Sequence, residues 1–110
     1  MILVIGGFSQ GKLAFVKSEF NIDDKKVFNK FNDWVRSVIK NGDDPVDATN
    51  KLIDENPDLI IISDEIGNGI VPMEKEERDF RDTIGGIQIM LAKQAEEVYR
   101  VTCGIGQKIK

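Results

Sequence analysis

The first twenty residues contain the feature that most constrains the fold, a short apolar run that ends in a glycine-rich loop. Residues Ile2 to Ile5 are aliphatic and rich in β-branched side chains, and Gly6 and Gly7 follow them directly. An apolar run bounded by glycines predicts a strand buried on both faces, as in a parallel sheet. The residues after Gly11 predict a helix whose apolar positions lie roughly on one face: Leu13, Ala14, Val16 and Phe20.

The loop between this strand and this helix has the spacing of a phosphate-binding loop, G-x-x-x-x-G-K, from Gly6 to Lys12. Glycines allow backbone N–H groups to face phosphate oxygens, and the positive end of the helix dipole attracts the same anion. Lys12 would reach the β- and γ-phosphates and is a candidate catalytic residue. The predicted phosphate-binding residues are Gly6, Gly7, Phe8, Ser9, Gln10, Gly11, Lys12 and Leu13. The alternative is an ordinary glycine-rich turn that precedes a lysine.

Position 13 departs from the usual form of this loop. The residue after the lysine is usually Ser or Thr, whose hydroxyl binds Mg²⁺, and here it is Leu13. Ser9 lies inside the loop, where it could contact phosphate but not the metal. The loop therefore predicts ATP or GTP as the ligand and leaves Mg²⁺ without its usual hydroxyl.

A second candidate site follows the clearest strand, which is predicted from Leu59 to Ile62. The polar residues Ser63, Asp64 and Glu65 come directly after it. Ligands of open α/β sheets bind at the carboxyl ends of the strands, where a carboxylate can hold Mg²⁺ or accept a substrate proton. Asp64 and Glu65 are the predicted metal ligands, and Glu65 is also a candidate catalytic residue. A polar strand exit or a helix cap is the alternative.

The remaining segments alternate between strands and helices. Further helices are predicted from Phe31 to Ile39, from Asp44-Pro45 to Pro57 and from Glu74 to Glu97, and further strands from Lys25 to Phe28 and from Val98 to Thr102. Alternation of this kind predicts an α/β fold with a parallel sheet covered by helices.

Several side chains can be assigned to the interior or to contacts from their spacing. Phe31 and Trp34 are expected in the core, and Glu77 and Arg81 have the spacing of a helical ion pair. Gly85 and Gly86 could let another element approach the long helix closely. The inner face of the third helix is predicted to consist of Val46, Thr49, Leu52 and Ile53.

The 110 residues include no histidine and one cysteine, Cys103. The commonest general base is therefore absent, and a four-ligand zinc site cannot be assembled. Any catalysis must use carboxylates, Lys12, hydroxyl groups or a bound metal. A single cysteine cannot form an internal disulfide, and Cys103 is expected to be a small buried residue.

Charge and hydropathy exclude two classes of partner. The net charge is −4 with a pI of about 4.8, and no basic run stands out, which argues against nucleic acid. No apolar stretch approaches the roughly 20 residues that span a bilayer. The segment from Met1 to Ile5 lacks the basic region of a signal peptide. We therefore expect neither nucleic acid nor a membrane as partner, and a cytoplasmic location.

Strings near both ends of the chain resemble one family, the adenosylcobinamide kinase / adenosylcobinamide-phosphate guanylyltransferase family of cobalamin biosynthesis. In the C-terminal half they are EIGNGIVP from Glu65 to Pro72, RDFRD from Arg78 to Asp82, Gly85, and GIGQKIK from Gly104 to Lys110. At the start they are Met1 to Gly7 together with Gly11 and Lys12.

This resemblance implies a P-loop NTPase-like three-layer α/β domain with a small, mostly parallel sheet, formed by residues 1–110 as one nucleotide-binding domain. It implies kinase chemistry on the aminopropanol hydroxyl of adenosylcobinamide, with nucleotide and adenosylcobinamide as partners and a homo-oligomeric state. Glu65 matches the acidic residue that follows the strand in the family, and Arg81 matches its F-R-D arginine.

Two departures from the family shape the functional hypotheses. Family members transfer GMP through a covalent guanylate on a histidine, which this sequence lacks, and residues 21 to 57 are expected to replace a longer middle segment. One hypothesis is a nucleotide-binding enzyme that retains only kinase-type phosphoryl transfer. Another is a non-catalytic subunit that binds nucleotide or corrinoid, and a third is a structural domain whose loop no longer binds phosphate.

Overall fold

The computed structural model of the chain describes residues 1–21, 26–65 and 74–110. Along the chain the elements are β1 (Ile2–Gly6), α1 (Lys12–Glu19), β2 (Val27–Phe28), α2 (Phe31–Lys40), α3 (Pro45–Glu55), β3 (Ile60–Asp64), α4 (Lys75–Gln94), β4 (Glu97–Thr102) and β5 (Ile105–Lys108). The predicted α/β fold is confirmed. Of the strand predicted from Lys25 to Phe28, Val27–Phe28 is observed and Lys25 lies outside the described residues.

The five strands form one sheet in the order β2-β3-β1-β4-β5. The first four are parallel, and β5 runs antiparallel to β4. In the centre, Gly6 at the end of β1 lies opposite Asp64 of β3 on one side and Val101 of β4 on the other. The register therefore brings the carboxyl ends of three strands to the same edge of the sheet.

Two hydrophobic clusters cover the two faces of the sheet and explain why β1 and β3 are apolar throughout. On one face, Ile2, Val4, Ile60 and Ile62 pack with Val16 of α1. On the other face, alternate strand residues pack against α2 and α4, in a cluster that includes Leu3, Ile61, Val98, Phe31, Val35, Ile84, Ile87 and Leu91. The predicted three-layer architecture is thus confirmed, as is the core position of Phe31, against which Trp34 is partly buried.

The start of α3 follows from local chemistry. The Asp44 side chain accepts hydrogen bonds from the N–H groups of Val46 at 2.8 Å and Asp47 at 3.3 Å, and Pro45 is the first helical residue. The inner face of this helix is predicted correctly at Thr49, which is buried. It is wrong at Val46, which lies in the first turn of α3 and is 40% exposed.

The long helix α4 differs from its prediction at its end and in its contacts. It stops at Gln94, and Glu97 belongs to β4, because Ala95 has the extended backbone angles φ −66° and ψ 142°. In the described part of the chain, a Cβ at Gly85 or Gly86 would have no atom within 4 Å beyond its chain neighbours and the nearby backbone of its own helix, so the expected close approach of another element is not found there. Glu77 pairs with Arg36 of α2 at 2.8 Å, a contact that its spacing to Arg81 did not predict.

Strand β5 was not predicted, because Gly104 and Gly106 hide its short β pattern. Cys103 and Gly104 form the two-residue connection from β4, with φ of 51° and 76°. Two consecutive positive φ angles are typical of the hairpin turn that suits the twist of antiparallel strands. Cys103 is exposed in this turn, so its predicted burial is wrong.

The hairpin of β4 and β5 packs against α1 through an aromatic contact. Phe15 of α1 lies 5.6 Å from Tyr99 of β4 between ring centroids, and its ring covers Gly106 of β5 closely. A Cβ at Gly106 would overlap the Phe15 ring. Within the described ranges, no helix combines the length and apolar character that crossing a membrane requires.

We expect Gly106→Ala to destabilise the protein by about 1–3 kcal/mol, because the added methyl group displaces Phe15. Gly86→Ala is the control, since its Cβ enters open space in a helix and should stabilise by about 1 kcal/mol. Urea unfolding measures both changes in the free energy of unfolding. A penalty at Gly106 that persists unchanged in a Phe15→Ala background would contradict this account.

Candidate functional site

The loop after β1 and the first turn of α2 enclose a cleft of about 390 Å³ at the carboxyl edge of the sheet. We call it the loop cleft. Among the described residues it is lined by Phe8, Ser9, Gln10, Gly11, Lys12, Leu13, Ala14, Asn29, Lys30, Asn32, Asp33, Ile62 and Asp64. Six of the eight residues predicted to bind phosphate, from Phe8 to Leu13, therefore line one cavity.

Lys12 is the first residue of α1, and its side chain is only 8% exposed. Its Nζ donates a hydrogen bond to the Gly7 carbonyl at 2.7 Å and lies 2.8 Å from Oδ1 of Asp64. A buried ammonium group needs such partners, because leaving water without them is very unfavourable. These contacts connect the loop to the end of β3.

The backbone of the loop adopts positive φ angles, at one glycine and at one serine. Gly11, the N-cap of α1, has φ 84°, and Ser9 has φ 58°. A Cβ at Gly6 would lie 2.5 Å from the Val101 carbonyl oxygen of β4, so only glycine fits between the neighbouring strands. No side chain of the described residues caps α1, which leaves N–H groups of its first turn available to an anion.

Asp64 is held at its backbone by two side chains from the covering helices. Asn32 of α2 accepts hydrogen bonds from Ser63 Oγ at 2.6 Å and Asp64 N at 3.0 Å, and donates to the Asp64 carbonyl at 3.1 Å. Gln88 of α4 donates to Ser63 Oγ at 2.8 Å and to the same carbonyl at 2.7 Å. The Asp64 side chain is 42% exposed, so its backbone is fixed while its carboxylate reaches solvent.

Glu65 takes a different direction from Asp64. Its Oε2 accepts a hydrogen bond from Arg100 Nε of β4 at 3.1 Å, and its N–H donates to the Gly6 carbonyl at 2.7 Å. In the described part of the chain, Glu65 is not among the residues that line the loop cleft. The structure thus brings Asp64 together with Lys12, and places Glu65 beside Arg100.

The acidic residues of the site suit a shared metal ion rather than a closed protein cage. Among the described residues, no group of three or more Asp, Glu or Cys side chains could hold a metal ion. Mg²⁺ in nucleotide sites commonly binds one or two carboxylates together with phosphate oxygens and water. Asp64, with Asp33 on the same cleft, fits that type of site. Leu13 supplies no ligand and packs against the core instead.

Comparison with known proteins identifies the family. The family model of CobU, described as cobinamide kinase / cobinamide phosphate guanyltransferase, matches residues 21–109. The chain belongs to the CobU family.

Two curated relatives are both named bifunctional adenosylcobalamin biosynthesis protein CobU, one from Salmonella typhimurium and one from Escherichia coli K12. Each is 44% identical to this chain over 52 residues, a stretch that covers 47% of the chain and 29% of the relative. The matched stretch therefore spans less than a third of the length of either CobU relative. Residues 66–73, which carry most of the EIGNGIVP string, lie outside the described residues.

The sequence analysis missed the polar residues that support this candidate site from the helices. Asn32 and Gln88 carry no local motif, and only their tertiary position gives them their partners. Asn29 and Lys30 could have been found, because α2 starts directly after a parallel strand and its first turn must lie at the carboxyl edge of the sheet.

Removal of the Asn32 side chain tests whether it fixes the end of β3. We expect Asn32→Ala to reduce the free energy of unfolding by about 2–3 kcal/mol, because the buried hydroxyl and backbone groups lose their partner. Asn50→Ala is the matched control, since its side chain makes one exposed contact with Gln94 at 3.4 Å. Equal effects of the two substitutions in urea unfolding would exclude this role of Asn32.

Proposed function

We propose that this chain binds the triphosphate of ATP or GTP in the loop cleft, as part of adenosylcobalamin biosynthesis. The observation that carries the proposal is Lys12, whose nearly buried ammonium group lies at the sheet edge between Gly7 and Asp64. It belongs to a complete G-x-x-x-x-G-K loop that lines the cleft and precedes an uncapped helix. Membership in the CobU family supports nucleotide chemistry independently of this geometry.

The proposed contacts follow from the donors at the cleft. An ammonium group has three N–H donors, and the contacts with Gly7 and Asp64 use two of them, so one remains for a phosphate oxygen. N–H groups of the loop and of the first turn of α1 contact the same phosphates. The loop cleft has the volume expected of small-molecule sites, about 300–1,000 Å³.

Asp64 is the proposed Mg²⁺ ligand in this site, and Asp33 is a second carboxylate that lines the same cleft. When bound, the ion supplies positive charge against the phosphate oxygens. Glu65, the other metal ligand predicted from the sequence, would first have to leave Arg100. The proposal therefore assigns the metal to Asp64 before Glu65.

The proposed reaction is phosphoryl transfer to the hydroxyl group of adenosylcobinamide. The hydroxyl oxygen forms a bond to the γ-phosphorus, the bond from this phosphorus to the bridging oxygen breaks, and the hydroxyl proton passes to a carboxylate. Lys12 stabilises the charge on the transferred group. Glu65, directly after β3, is the proposed proton acceptor, and for this role too it would first have to leave Arg100. These 110 residues supply no histidine for a covalent guanylate.

A second candidate is a nucleotide- or corrinoid-binding subunit without catalytic activity. Leu13 favours it, because the hydroxyl that usually holds Mg²⁺ after the loop lysine is missing. Loss of a metal ligand removes charge stabilisation from the transferred phosphoryl group. A nucleotide-binding subunit of this kind shares nucleotide binding with the kinase and differs from it only in phosphate transfer.

Titration calorimetry with ATP and GTP tests the shared step. We expect Lys12→Ala to weaken nucleotide binding at least about tenfold, since a hydrogen bond to a charged group contributes about 1.5–3 kcal/mol. Lys17→Ala is the matched control, because it removes the same charge from an exposed position of the same helix. Absence of binding at millimolar nucleotide, or unchanged binding by the Lys12 variant, would refute the proposal.

Substitution of Asp64 tests the metal. We expect Asp64→Asn to remove most of the effect of Mg²⁺ on nucleotide affinity, whereas Asp58→Asn, at the opposite end of the strand, should retain it. Leu13→Ser should increase the effect of Mg²⁺ by restoring a hydroxyl ligand. Transfer of labelled γ-phosphate from ATP or GTP to adenosylcobinamide distinguishes the two candidates. Nucleotide binding without transfer would favour the non-catalytic subunit.

A further inference from the structure

The tip of the β4–β5 hairpin is hydrogen-bonded to the phosphate loop at Gln10. The N–H of Gly104 donates to the Gln10 carbonyl at 2.8 Å, and the N–H of Cys103 donates to the Gln10 side-chain oxygen Oε1 at 2.7 Å. The two donors are consecutive residues of the turn, and both acceptors belong to one loop residue. Gln10 is thus bound by the hairpin through its backbone and its side chain together.

The geometry of the hairpin turn makes these two donors available. Thr102 and Ile105 are the last paired residues of β4 and β5, so the N–H groups between them take no part in the ladder. Cys103 and Gly104 both have positive φ, which gives the narrow turn that this position requires. The hairpin therefore offers two unpaired N–H groups to the loop.

Besides these hydrogen bonds, the hairpin makes packing contacts with residues before and after Lys12 in the chain. A Cβ at Gly11 would lie 3.3 Å from the Cα of Gly104, so the loop and the turn are in contact at their backbones. Further along, Phe15 of α1 covers Gly106 of β5. The hairpin thus contacts the residue before the lysine and the residue three positions after it.

The loop conformation needs support of this kind. Ser9 has φ 58° without being glycine, a conformation that is unfavourable by roughly 1–2 kcal/mol. Such a conformation persists where the surroundings hold it. Gln10, which the hairpin binds, directly follows Ser9. A loop that is held in its binding conformation before the ligand arrives gains affinity, because less order has to be imposed on binding.

We infer that the β4–β5 hairpin is a brace that preorganises the phosphate loop, with Gln10 as the positioning residue. In this role the Gln10 side chain binds the hairpin rather than the phosphate. The inference rests on the proposed binding of phosphate between Gly6 and Lys12. It also gives the GIG segment at Gly104 to Gly106 a function in the site, since both glycines lie at contacts with the loop or α1.

Gln10→Met tests the brace, because methionine has a similar length and offers no carbonyl oxygen to Cys103. Calorimetry with inorganic triphosphate and with ATP should show affinity about 3- to 10-fold weaker for both ligands, as expected for loss of one hydrogen bond. Gln94→Met is the matched control at an exposed position and should bind as the wild type. Unchanged affinity of the Gln10 variant would overturn the inference.

Hydrogen exchange supplies a readout that a purely structural role would not affect. Because coupling between two sites is reciprocal, inorganic triphosphate should slow exchange of the Cys103 and Gly104 amides in the wild type. The amides of Tyr99 and Lys108, at the far end of the hairpin, should not change. If the Gln10 variant does not fold, this measurement decides alone: protection at the tip supports the brace, and its absence overturns it.

Failure of the proposed nucleotide binding and failure of the brace give different results. If the wild type binds neither ATP nor inorganic triphosphate, the proposed function is wrong and the brace falls with it. If the wild type binds both and Gln10→Met binds them equally well, the function stands and only the brace is wrong.

Discussion

The ammonium group of Lys12 links the segments from which the site is built. It is the only charged side chain among the described residues that is buried, and a buried charge is stable only with partners. Its partners come from separate places, the Gly7 carbonyl in the loop and the Asp64 carboxylate at the end of β3. Parallel pairing of β1 with β3, with Gly6 opposite Asp64, brings them within reach. The pairing register of two strands therefore determines whether the lysine can be buried.

The opposite neighbour of β1 contributes to the same site in a different way. Pairing with β4 sets Gly6 opposite Val101, and the turn that binds Gln10 begins two residues further along. A slip of one residue in β4 would exchange its two faces, which would move Val98 and Val101 away from the two hydrophobic clusters that they complete. The core thus fixes the register of the strands. Pairing with β3 then places the Asp64 carboxylate beside Lys12, and pairing with β4 places the hairpin turn beside the loop.

Sequence reasoning predicted the elements correctly where residues close together in the chain determine the structure. The apolar runs at β1 and β3 predicted buried parallel strands, and Asp44-Pro45 predicted the start of α3, because solvation and capping act over a few residues. The predictions failed where the structure depends on a contact with a residue far away in the sequence. Ala95 and Val98 continue the apolar spacing of α4, yet the chain leaves the helix to pair with β1. Asn32 and Gln88 have no signal of their own, since their roles depend on Ser63 and Asp64.

The neighbouring carboxylates Asp64 and Glu65 could not be told apart from the sequence, and their surroundings now distinguish them. Arg100 pairs with Glu65. Asp64 instead lines the cleft and pairs with Lys12, which lines the same cleft. Under the proposed function, a phosphate oxygen takes the third donor of Lys12, and Asp64 keeps its second carboxylate oxygen for Mg²⁺. Because Leu13 offers the metal no hydroxyl, an ion held by Asp64 would depend on phosphate oxygens for further ligands, which makes nucleotide and metal binding mutually reinforcing.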